Sequence, residues 1–107
     1  MSRGGGGRPD RTRAIILVGA DVEDALGGRS IAWAEAGVLW FGADGRGVRA
    51  AGAGRLDWTE TLRAAARSHP AVKRGVRLRT ADGDWAVVRV EPDRPAPGRC
   101  VLHLERA

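Results

Sequence analysis

The segment from Gly75 to Glu91 constrains this chain more than any other. It reads Gly-Val-Arg-Leu-Arg-Thr-Ala-Asp-Gly-Asp-Trp-Ala-Val-Val-Arg-Val-Glu, with apolar and charged residues alternating around an Asp-Gly pair. Asp-Gly is a two-residue turn whose twist suits antiparallel strands, because both central positions tolerate positive φ. The pattern predicts a β-hairpin reversing at Asp82-Gly83, with Thr80 opposite Trp85 and Leu78 opposite Val87. Val76, Leu78, Thr80, Trp85 and Val87 then share one face, and Arg77 and Arg79 stand on the other. A sheet that is apolar on one face only needs cover.

The length, 107 residues, suits one domain with a modest core. Hydrophobic residues make up 43%, which excludes a compositionally disordered chain. The net charge of +5 and pI of about 11.1 admit two readings. One is phosphate contact with nucleic acid. The other is a solubilising surface, since the arginines are scattered among acids without a dense block. Cys100 is the single cysteine, so no intrachain disulfide is possible, which fits a reducing, cytoplasmic setting. The longest apolar run, Ala14 to Val18, is far short of a membrane span.

Along the chain, residues 1–12 read as a disordered Gly/Arg tail. Residues 13–36 read as helical or mixed: Asp21 to Leu26 prefers helix, stopped by Gly27-Gly28, and Ser30 caps a short helix through Glu35. A first hairpin is expected about Asp44-Gly45, placing Leu39, Phe41, Val48 and Ala50 on one face and Trp40 with Arg49 on the other. Asp57-Trp58-Thr59-Glu60 has the form of a capping box opening a helix to about Ser68, with Trp58, Leu62, Ala65 and Ala66 as its apolar stripe. Arg99 to Glu105 alternates as a last strand, Cys100, Leu102 and Leu104 on one face. The expected fold is α+β: a five-stranded antiparallel sheet, made of two Asp-Gly hairpins and the C-terminal strand, covered on one face by a helix.

That order resembles a PAS domain over residues 37–106. Gly-Val-Leu-Trp-Phe-Gly-Ala-Asp-Gly-Arg looks like the family's opening hairpin, residues 77–91 like its later hairpin, and Pro97 to Leu104 like its last strand. The resemblance implies a non-enzymatic sensory or protein-interaction module of bacterial signalling or transcription regulation, working through a protein partner or a homodimer. The span between the second and third strands is too short for ligand-enclosing helices, so no cofactor is expected.

The chemistry-bearing residues have structural explanations. Cys100 reads as a buried thiol on a strand. His69 ends the long helix, where a cation suits the dipole, and His103 falls on an outward strand face. The two histidines and one cysteine lack metal-ligand spacing. Ser30 and Ser68 lie in no nucleophile motif, which leaves an enzyme the least supported class. Two candidate sites remain. Leu39, Phe41, Trp58, Leu62, Leu78 and Val87 form a core or small pocket. Trp40, Arg49, Arg77 and Arg79 form a face for a partner, or alternatively for single-stranded nucleic acid, with Trp40 as a stacking platform.

Overall fold

The computed structural model describes residues 10–50 and 58–107. It contains six strands: β1 (Thr12–Glu23), β2 (Arg29–Ala50), β3 (Trp58–Arg67), β4 (Arg77–Thr80), β5 (Gly83–Pro92) and β6 (Arg99–Arg106). All neighbours are antiparallel, and they close into a barrel in the order β1-β2-β3-β6-β5-β4. Closure rests on a short β1–β4 ladder, in which Ile15, Ile16 and Leu17 pair with Arg79, Leu78 and Arg77.

The barrel is filled, not hollow. Large inward side chains, Trp85, Phe41, Ile16, Leu78, Leu102 and Leu104, are almost completely buried. Ala14, Ala64 and Ala66 belong to the same cluster at 0% exposure. Mixing large and small inward residues is how a small barrel reaches native packing density without a void. Val72 and Val76, in the connection between β3 and β4, join the cluster and close one end. At another point Arg106 covers the buried indole of Trp85, its guanidinium carbon 4.0 Å from the ring centroid. No helix among the described residues is long and apolar enough to cross a membrane.

The α+β expectation is therefore corrected: the chain is all-β, six-stranded, with no covering helix among the described residues, and the PAS-like arrangement fails with it. The decisive segment is β3. Leu62, Ala64 and Ala66 are buried while Thr61, Arg63 and Ala65 alternate outward, a period of two. Leu-Arg-Ala-Ala-Ala-Arg has strong helix propensity, but a lone helix of this length is marginal in water. As a strand the same residues gain ladders on both sides, to β2 and to β6. Asp57, the expected cap, lies outside the described residues.

The first hairpin is also corrected. β2 runs straight through Asp44-Gly45, where the register to β3 shifts, so the pair marks a β-bulge and not a reversal. Leu39 and Phe41 point inward, but Val48 is 62% exposed. The helical expectations over Asp21–Leu26 and Ser30–Glu35 give way to strand and turn. The Gly75–Glu91 hairpin does form, two residues out of the expected register: Leu78 faces Trp85 and Thr80 faces Gly83. The bend sits at Ala81-Asp82, with Gly83 at φ +119° directly after it. A slip of two preserves the faces, so Val76, Leu78, Trp85 and Val87 are all buried.

Candidate assembly surface

β1 and β2 outrun the barrel. β4 leaves β1 at Leu17, and β3 joins β2 only at Phe41. Beyond those points Val18–Glu23 pairs with Arg29–Ala34 and, among the described residues, with nothing else. The result is a two-stranded arm with both outer edges open. Six residues of strand make its ladder roughly 20 Å long. A two-stranded ribbon is marginal in water by itself, and open edges are templates for further pairing.

Residues at its root explain why this ribbon is ordered. A bulge between Ile16 and Leu17 buries both, Ile16 in the core and Leu17 outside the core cluster. Trp33 and Ile31 lie across Gly19, where an added Cβ would come within 3.0 Å and 2.8 Å of them. Arg77 of β4 stacks on Trp33 at 4.4 Å, tying the arm to the wall. Gly37, at φ +143°, lets β2 swing from wall into arm; a Cβ there would sit 3.1 Å from Nε2 of His69.

The two faces of the arm differ. Register puts Asp21 with Ile31 and Glu23 with Arg29 on the Trp33 face, and Ala20 with Ala32 and Val22 with Ser30 on the other. The second face is small, apolar and exposed: Ala20, Val22, Ala32 and Ala34 have no cover. The tip is built by Asp24. Its Oδ1 accepts from the backbone N–H of Leu26 and of Gly28, each at 2.8 Å. Its backbone N–H donates to the Gly28 carbonyl, and Gly27 takes φ +82°. This turn holds Leu26 out at 96% exposure.

A second feature lies beside the arm's root. Val38, Leu39, Trp40, Arg67, Ser68, His69 and Asp10 line a cleft of about 320 Å³. Trp40 is half exposed, and Arg13 is its register partner on β1. Nδ1 of His69 accepts from the Ala71 N–H at 3.0 Å, which leaves Nε2 turned toward Gly37. Arg99 grips Asp10 through two hydrogen bonds of 2.9 and 3.1 Å.

The structure separates the residues expected to act together. Of the core candidates, Leu39, Phe41, Leu62, Leu78 and Val87 are buried in one cluster. Trp58 stands 66% exposed at the start of β3, far from the covering role expected of it. Trp40 and Arg49 occupy one strand nine residues apart, roughly 30 Å of extended chain. Arg49 is held by Glu105 in a two-pronged pair, both contacts 2.7 Å. Arg79 is held by Asp84 at 3.0 and 3.1 Å. Arg77 is spent on Trp33. These bonds hold the Glu105 and Asp84 carboxyls below their ordinary range, each first through the hydrogen bond from its arginine. His103 approaches Glu91 at 2.5 Å and lowers that carboxyl likewise. Cys100 is buried, and burial pushes its thiol up, away from reactive thiolate. The arm itself escaped sequence reasoning, although the alternation of Ile31, Trp33 and their neighbours after Gly27-Gly28 was a hairpin signal.

The fold is thus that of a small, side-chain-filled antiparallel barrel carrying a projecting ribbon. Among solved structures it is similar to a chain in the virion of a native gene transfer agent particle, with TM-score 0.63 and 21% identity over 92% of this chain and 96% of that one. No family model and no curated protein matches. The PAS-like arrangement from which the signalling expectation was drawn is absent from this all-β fold.

Proposed function

We propose that this chain is a structural subunit of a phage-like particle, working by protein–protein contact and not by catalysis. The observation that carries the proposal is the arm: an ordered ribbon with two open edges, an uncovered apolar face and a leucine presented at its crest. Such a surface in a monomer is a liability, and in an assembly it is a joint. The similarity to a particle chain over nearly the full length of both supports the same reading. Binding of single-stranded nucleic acid is the weaker reading, because Arg49, Arg77 and Arg79 are already committed within the chain.

The test is co-sedimentation. Tagged full-length chain is expressed in its native host, and particles are separated on a density gradient. The chain is expected in the particle fraction. A variant in which residues 19–33 are replaced by Asn-Gly, which leaves Val18 against the core, is expected to keep the barrel's thermal transition and to stay at the top of the gradient. Wild-type chain found only as a small free species overturns the proposal.

A further inference from the structure

We infer that the partner of the arm is a second copy of this chain, with the Leu26 tip of one subunit seated in the Val38–Trp40 cleft of the next; the inference rests on the assembly reading and names its contact. Three observations on the two surfaces converge. The tip is a preorganised apolar plug, since Asp24 fixes the turn that projects Leu26. A plug ordered before binding loses little conformational freedom on docking. The cleft offers the matching apolar wall in the exposed side chains of Val38 and Trp40, with about 320 Å³ of space.

Charge is complementary as well. The arm carries Asp21, Glu23 and Asp24 against Arg29 alone, a formal −2 within a chain of +5, so the body is more basic than the whole. Arg67 lines the cleft and Arg13 stands beside Trp40, while the acid in the lining, Asp10, is already paired with Arg99. Arg67 makes no ion pair among the described residues. Acidic ribbon against basic rim favours that docking and disfavours arm against arm.

The contact must be between molecules. Ten residues of continuous strand separate Gly28 from Val38, roughly 33 Å, so a tip does not reach its own cleft. Plug and socket are different patches of one subunit, which makes the interface heterologous: each copy gives one contact and receives another, in a closed ring or an open row.

Sedimentation velocity over a wide concentration range tests this with the full chain. Wild type is expected to form species larger than a monomer. Leu26→Asp, a tip variant at an exposed position, and Arg67→Glu, a cleft variant at an exposed position, are each expected to weaken association about ten-fold or more with unchanged thermal transitions. Mixed in equal amounts, the two variants are expected to restore a heterodimer, because one good tip still meets one good cleft. Wild type that stays monomeric, association indifferent to Leu26→Asp, or a mixture no better than its components each overturns the inference. A monomeric wild type that nonetheless enters the particle fraction rejects self-docking and leaves the particle reading standing. Self-association by a chain that never enters that fraction does the reverse.

Discussion

The barrel wall and the arm are made from the same two strands, and they solve opposite problems. In the wall, Ala14 and Ile16 of β1 and Leu39 and Phe41 of β2 are buried against four other strands. In the arm, Ala20 of β1 and Ala32 of β2 have equally apolar side chains, pair with each other and stay exposed. The sequence type hardly changes across Gly37; the number of partners does. Apolar alternation marks a surface that will be covered, but not by what. The wall is covered from within the chain, and the proposal assigns the cover of the arm to another molecule.

The largest test of this contrast is Trp85→Ala. It empties the barrel's biggest buried side chain and removes the seat of Arg106, so a loss of about 3–5 kcal/mol is expected in denaturant unfolding. Leu26→Asp in the same assay is expected to change nothing. Comparable losses at both positions would break the distinction between a self-sufficient body and a dependent arm.

Gly37→Ala probes the junction. Positive φ is strained for alanine, and the added Cβ meets His69, so about 1–3 kcal/mol of destabilisation is expected. Arg77→Ala acts on the arm alone. Losing the stack on Trp33, worth about 0.5–1 kcal/mol, is expected to speed hydrogen exchange in residues 18–34 while protection at Leu102 and Leu104 is unchanged.

The smallest effect is in acid and belongs to the body's exterior. Asp84 and Glu105 have folded-state pKa values below their ordinary 3.8 and 4.5. Such groups stabilise the fold fully above the unfolded value and lose that contribution as pH falls through the folded one. Unfolding midpoints are therefore expected to hold at neutral pH and drop below about pH 4. Arg49→Gln is expected to flatten the part of that drop due to Glu105. These pairs are partly solvated, so the change stays well below that of Trp85→Ala.

The legible parts of the sequence were those whose pattern and partner lie close together. The hairpin at Asp82 could be read because its strands flank the turn, and a two-residue slip left every face intact. β6 was legible because Cys100, Leu102 and Leu104 alternate cleanly. β3 was not, since Trp58, Leu62, Ala65 and Ala66 fit a helical stripe as well as Leu62, Ala64 and Ala66 fit a strand. Asp44-Gly45 misled for a related reason: the same dipeptide that serves a turn also serves a bulge when a longer ladder is on offer. The committed arginines were invisible because Glu105 lies 56 residues from Arg49.

By itself the sequence determined which side chains seek burial: the inward sets of β4, β5 and β6, and Leu39 and Phe41. Only the tertiary structure decided that these sets close on one another, that β3 joins them as a strand, and that β1 and β2 run on past the last partner. Local pattern records a residue's preference for water or oil, which is a property of the side chain. Strand pairing over long separations is a property of the whole closed ladder, and no single window of the chain contains it.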